Sequence, residues 1–314
     1  MKKITLIVPC YNEESNVEEF YNAAKKIFEL SVLSKNIDFN ILFINDGSKD
    51  KTIENINKLH SNDSRVKCIS FSRNFGKEAA LFAGIRYSIS NIINSDAAII
   101  LDADLQHPVS IIPEMISKWL EGYQVIEGVK KDRGKESFIH KIFTNVFYSL
   151  ISKAVGMDMK NSSDYKLLDK TILIKLAELK ERNTFFRALS FWCGFKKTTV
   201  FYEVKDRNAG ESKWSTKSLI KYAINNVVCF SYAPLHFVTG IGVIFLLIAL
   251  IVTIDSLISF FNGTAADGIP TLVILSLIGF GSVMISLGII GVYIAQIYDE
   301  VKGRPQYIIG ETIE

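Results

Sequence analysis

Lysine and arginine are missing altogether from Ala233 to Ile297, a stretch whose only formal charges are Asp255 and Asp267. With 48% hydrophobic and only 22% charged residues and a mean hydropathy of +0.21, this shortage of charge excludes a wholly soluble enzyme and intrinsic disorder. Glycine (19) and proline (6) are too sparse for a collagen-like chain. Cys10, Cys68, Cys193 and Cys229 lie far apart with no CxxC pair, which fits a reducing compartment. Met1 to Cys10 runs directly into an apolar strand pattern, as expected without a secretory leader. The four histidines are scattered at positions 60, 107, 140 and 236, which argues against a zinc site. No GxGxxG follows an apolar run and no GxxxxGK[ST] occurs, so neither a typical dinucleotide site nor a P-loop is supported.

What is present divides the chain. Residues 233–254 and 268–297 are each long enough, at about 1.5 Å per residue, to cross a hydrocarbon core of about 30 Å. The turn-forming segment Asn262–Pro270 between them reads as the tip of a helical hairpin. Lys213, Lys217 and Lys221 precede the first span and Lys302 and Arg304 follow the second, so the positive-inside bias predicts that both ends face the cytoplasm. Asp255 then falls near the outer interface, and Gly281, Gly288, Gly291 and Ala295 would permit close helix approach. Residues 215–232 fit an interfacial helix or a plain amphipathic helix packed on the soluble part. The expected domains are 1–214 (soluble and catalytic), 215–232 (juxtamembrane helix), 233–297 (two transmembrane helices) and 298–314 (a cytoplasmic tail).

The first 232 residues carry 34 Lys+Arg against 27 Asp+Glu. This excess is too diffuse for nucleic acid but suits phosphate ligands or an anionic membrane surface. Short apolar runs at Ile4–Val8, Asn40–Ile44, Val66–Phe71 and Ala97–Leu101 alternate with helical patterns at 14–33, 51–60 and 77–90. This alternation predicts an α/β fold with a mostly parallel sheet. Ligands in such sheets bind beyond the carboxyl ends of the strands. Four polar clusters are expected there: Pro9–Glu14, Asn45–Ser48, Ser72–Lys77 and Asp102–Pro108.

Two carboxylates two residues apart, Asp102 and Asp104, can share a hard cation such as Mg²⁺ or Mn²⁺ with phosphate oxygens, and Gln106 can add an amide oxygen. A cap or surface role is the competing reading for this DxD. Asp46 fits a helix cap or a ligand contact, and His107 reads as a loop residue.

The segments Ile7–Glu14 (IVPCYNEE), Phe43–Asp50 (FINDGSKD), Arg73–Ala80 (RNFGKEAA) and Leu101–Pro108 (LDADLQHP), in this order, resemble family 2 glycosyltransferases of GT-A fold. Asp164–Leu168 (DYKLL), Glu181–Arg187 (ERNTFFR) and Arg207–Trp214 (RNAGESKW), followed by two spans, are similar to the polyprenyl-phosphate branch. That branch includes the bactoprenol glucosyltransferases and dolichol-phosphate mannose synthases. The resemblance covers essentially the whole chain. It implies that Pro9, Tyr11, Glu13 and Asp46 hold the nucleoside of a nucleotide-sugar, and that Asp102, Asp104 and Gln106 surround the metal and diphosphate. Asp164 matches the catalytic carboxylate. Arg207, Ser212 and Lys213 match a mobile basic segment over the phosphates, and Arg133 and Lys141 are weaker candidates for the lipid phosphate. Arg187 would serve the site or pair with an acidic neighbour.

One departure is Asn45, where the family commonly has an acidic residue. The implied activity is metal-dependent inverting transfer of one sugar, glucose from a UDP-sugar, to undecaprenyl phosphate at the cytoplasmic face of the plasma membrane. The implied assembly is a homo-oligomer, a tetramer. A processive polysaccharide synthase would carry QxxRW, yet no Arg precedes Trp119, Trp192 or Trp214. A non-catalytic flippase subunit or scaffold would not need the three carboxylates.

Overall fold

The computed structural model describes residues 1–30, 37–131, 152, 162–182, 184–203, 233–263 and 268–314. Two compact units emerge, one of residues 1–220 with 305–314 and the other of residues 221–304.

The first unit is built on an eight-stranded sheet. Its strands are β1 (Lys2–Cys10), β2 (Ile37–Asn45), β3 (Val66–Phe71), β4 (Ala97–Ile100), β5 (Val125–Lys130), β6 (Lys166–Asp169), β7 (Lys197–Tyr202) and β8 (Ile309–Ile313), in the spatial order β7-β5-β6-β4-β1-β2-β3-β8. Strands β1 to β4 are parallel where they pair, and their apolar runs are buried, as expected of strands covered on both faces. The connecting helices are α1 (Val17–Leu30), α2 (Thr52–Asn62), α3 (Lys77–Ser88) and α4 (Ile112–Leu120). In α1 the buried Val17, Phe20, Tyr21, Ala24 and Phe28 recur at helical spacing, and Phe28 stacks on Phe39 of β2 at 3.7 Å between ring centroids. Helix α3 is buried from Ala79 to Ile85. Its small residues let it lie close to the sheet: a Cβ on Gly84 would stand 2.3 Å from Cγ2 of Ile7.

The sheet departs from an all-parallel arrangement at both sides. Strand β6 runs antiparallel to β4, with Ile100 opposite Lys166, and is followed by α5 (Lys170–Glu178) and α6 (Phe186–Trp192). At the other edge, residues expected to be a tail return to the sheet: β8 pairs antiparallel with β3, with Ile69 opposite Thr312. Tyr307 stacks on Phe71 at 5.0 Å, and Ile313 is buried. Without β8, strand β3 would present an unpaired backbone edge.

The second unit holds α7 (Ala233–Phe261) and α8 (Ile269–Val301), the latter one turn longer than the expected span. Residues 234–259 and 274–301 are apolar enough and long enough to cross a membrane, and their apolar side chains are exposed. The expected juxtamembrane helix at 215–232 lies outside the described residues.

Candidate active site

The carboxyl ends of β1 and β2 are laced together by their loops. Asn12 N donates to Ser48 Oγ and Glu13 N to Thr52 Oγ1, both at 2.9 Å, while Lys49 N donates to Asn12 Oδ1 at 2.9 Å. Within the first loop Pro9 is half-buried, Tyr11 is exposed, and Glu13 Oε2 accepts from Asn16 Nδ2 at 2.5 Å. Asp46 is buried, and its two oxygens accept from Phe75 N (2.6 Å) and Gly76 N (2.9 Å) in the loop after β3. Burial pushes its carboxyl up while those two amides oppose the shift. Gly47 makes the approach possible: its φ is +64°, and a Cβ there would lie 2.4 Å from the carbonyl carbon of Arg73. Asn45 donates to Ser70 Oγ at 2.8 Å and accepts from Ser48 N at 3.1 Å. A carboxylate at this position could only accept, so the Ser70 hydroxyl would have to turn and donate to it.

Two distant segments meet at the end of β4. Since β6 is antiparallel to β4, Asp164 just before β6 lies on the same edge as Asp102 just after β4. Lys77, the first residue of α3, bridges them: its Nζ lies 2.7 Å from Asp102 Oδ1 and 3.1 Å from Asp164 Oδ2. Arg187 of α6 holds Asp164 from another direction, Nε to Oδ1 at 2.7 Å and Nη2 to Oδ2 at 3.0 Å. Burial by itself would raise the Asp164 carboxyl, but Arg187 and then Lys77 outweigh it and hold the group well below the usual carboxylate range. Burial also opposes ionisation of Asp102, where Lys77 and His107 prevail and keep it low. Lys77 stays protonated because the two carboxylates more than offset its burial. The acidic neighbour of Arg187 is thus Asp164 itself.

Asp104 is exposed at the tip of the turn, where its Oδ1 accepts from Gln106 N at 3.1 Å and Leu105 takes a φ of +56°. His107 accepts from Asp102 N through Nδ1 at 3.4 Å and stacks on Tyr165 at 5.1 Å; its burial holds the ring below its usual pKa. It is a loop residue that shapes the turn. Among the described residues no group of three or more His, Cys, Asp or Glu side chains gathers as a metal site. Asp102, Asp104 and Gln106 nevertheless offer hard oxygen donors of the kind that bind a divalent cation jointly with substrate phosphates rather than in a closed protein cage.

The segment carrying Asp164 is anchored from behind. Glu127 of β5 accepts from Ser162 Oγ (2.9 Å) and Ser163 N (2.8 Å) and pairs with the fully buried Lys166 at 3.0 Å. Sequence reasoning placed Lys77 in one of the four clusters expected at the strand ends without a role of its own, and assigned none to Glu78, Glu127 or Lys166. For Lys77 the available signal was its place at a helix start beyond a strand; for Glu127 and Lys166 it was a charge inside a strand-like apolar run. Arg133, Lys141, Arg207, Ser212 and Lys213 lie outside the described residues.

Residues 5–177 match the model of Glycosyl transferase family 2. CsbB of Bacillus subtilis (strain 168) is 41% identical over 314 residues, covering 98% of this chain and 92% of that protein. A prophage bactoprenol glucosyl transferase homolog of Escherichia coli (strain K12) is 36% identical over 98% of both chains. The bactoprenol glucosyl transferase of Shigella phage SfII is 36% identical over 99% of this chain and 98% of its own length.

Proposed function

The chain belongs to glycosyl transferase family 2 and is a glycosyltransferase of GT-A fold, and from that premise we propose that it transfers one sugar from a nucleotide-sugar to a polyprenyl phosphate. The donor in this reading is UDP-glucose, the acceptor undecaprenyl phosphate, and the transfer inverts the anomeric centre. The observation that carries it is the cluster of Lys77, Asp102, Asp164 and Arg187 at the sheet edge, in a chain that also holds two exposed apolar helices. The names of the phage and prophage relatives support the acceptor class and the sugar.

In the transfer, an acceptor phosphate oxygen bonds to the anomeric carbon from the face opposite the diphosphate, and the bond from that carbon to the diphosphate breaks. A phosphate monoester with a second pKa of about 6 is already largely ionised at neutral pH and needs no strong base. Asp164, held ionised by Arg187 and Lys77, is suited to orienting the acceptor or balancing positive charge on the sugar ring rather than to accepting a proton. Asp102, Asp104 and Gln106 would hold Mg²⁺ or Mn²⁺, which when bound neutralises charge on the leaving diphosphate. Pro9, Tyr11 and Glu13 line the nucleoside side. Asp46 contributes through the loop it holds, and in this reading Arg207, Ser212 and Lys213 serve as phosphate contacts.

Residues on both sides of the apolar hairpin belong to one compact unit. In this reading both helices cross the plasma membrane and both flanks lie in the cytoplasm, where Lys213, Lys217, Lys221, Lys302 and Arg304 favour them. A homo-tetramer completes the reading, and light scattering of the detergent-solubilised protein tests it.

The central experiment supplies membranes containing the protein with undecaprenyl phosphate and a panel of radiolabelled nucleotide-sugars. Labelled sugar should enter an organic-extractable lipid, most from UDP-glucose, and chelation of divalent cations should stop it. Asp104→Ala and Asp164→Asn should each lower transfer by about 100-fold or more. No labelled lipid from any donor overturns the function, and full activity in both variants overturns the site.

A further inference from the structure

Beside the cluster stands a carboxylate with no part in the chemistry above. Glu78 follows Lys77 in the first turn of α3, is half-buried, and accepts through Oε2 from Phe186 N at 2.8 Å. Phe186 opens α6, and the residue before it, Phe185, provides no side-chain cap. Helix starts leave amide donors without intrahelical partners, and an oxygen acceptor there normally comes from the helix's own N-cap residue. Here it comes from a different helix. With only seven residues, α6 has few hydrogen bonds of its own to hold its first turn.

The residue after Phe186 is Arg187, whose guanidinium grips both oxygens of Asp164. Consecutive residues of α3 therefore reach Asp164 by two routes. Lys77 touches it directly at 3.1 Å, and Glu78 acts through the start of α6. We propose that Glu78 is a positioning residue for sugar transfer: by fixing the first turn of α6 it sets the guanidinium of Arg187, and through it the orientation of Asp164. The acceptor oxygen does this work, so glutamine at the same position can replace glutamate. The inference rests on the assignment of Asp164 to the transfer site.

The test compares Glu78→Ala and Glu78→Gln in the full-length protein by two measurements. Hydrogen exchange at the start of α6 reads the cap without any substrate. In Glu78→Ala the Phe186 amide should exchange about fivefold faster or more, the scale of a lost helix cap. Steady-state transfer should show kcat reduced by about tenfold or more, with KM for the nucleotide-sugar within about twofold of the unmodified protein. Glu78→Gln should restore both. Unchanged exchange in Glu78→Ala overturns the proposal, as does a rise in KM with kcat preserved, or a Glu78→Gln variant as impaired as Glu78→Ala. If the unmodified protein transfers no sugar from any donor, the proposed function fails and the role of Glu78 in transfer with it, while exchange still decides whether Glu78 caps α6.

Discussion

Asp164 and Glu78 lie in one electrostatic neighbourhood and are pushed in opposite directions by it. Asp164 is bracketed by two cations, whereas Glu78 is pushed up to about 7, by burial first and then by the negative charge of Asp164. The consequences for stability have opposite signs. The folded protein holds the Asp164 proton more weakly than the unfolded chain, so the stabilisation from Asp164 is present above about pH 4 and is lost as pH falls below it. Glu78 is held protonated in the folded state between its ordinary value of 4.5 and about 7, so its contribution declines as pH rises through that window. In thermal unfolding from pH 5 to 7.5 the melting temperature of the unmodified protein should fall relative to that of Glu78→Gln, which cannot ionise, while the opposite contribution of His107 is common to both. Parallel profiles would contradict the assignment. Neither shift is legible in the residues themselves, because each is produced by burial and by partners far away in sequence. Asn45 makes the same point: its departure from an acidic residue is plain in the sequence, but only the structure shows the serine to which it donates.

At the scale of elements, the alternation of apolar runs and helical patterns predicted β1 to β4 and α1 to α3 to within a few residues, because buried parallel strands read as continuous apolar segments. The short elements at the sheet edges carried too little periodicity to be read. Strand β8 has five residues, four of them exposed, and its place comes from pairing with β3 and from the Tyr307–Phe71 stack. The returning segment is also tied elsewhere: Arg86 Nη1 donates to Gln306 Oε1 at 2.7 Å, and Tyr87 Oη to Glu314 Oε1 at 2.5 Å. Deleting residues 306–314 should therefore lower stability by about 3 kcal/mol and speed amide exchange across Cys68–Phe71. Unaltered protection of those amides would show that β8 adds nothing to the sheet.

The whole molecule joins a polar sheet edge to a pair of helices whose apolar side chains are exposed. Such a surface is suited to an apolar solvent, and a lysine in the middle of a spanning helix costs about 3 kcal/mol on insertion. Leu247→Lys should accordingly reduce the fraction of protein that resists alkaline carbonate extraction from membranes. Full retention would mean that α7 does not cross the bilayer. The amino-acid sequence by itself determined this division of the chain, the strand-and-helix alternation and the polar clusters at the strand ends, because composition and local periodicity are properties of neighbouring residues. Tertiary structure alone decided which of those clusters share a site. The antiparallel entry of β6 beside β4 brings Asp164 to Asp102, and the packing of α3 and α6 supplies Lys77, Glu78 and Arg187, so the charge balance of the site depends on contacts between residues more than 20 positions apart.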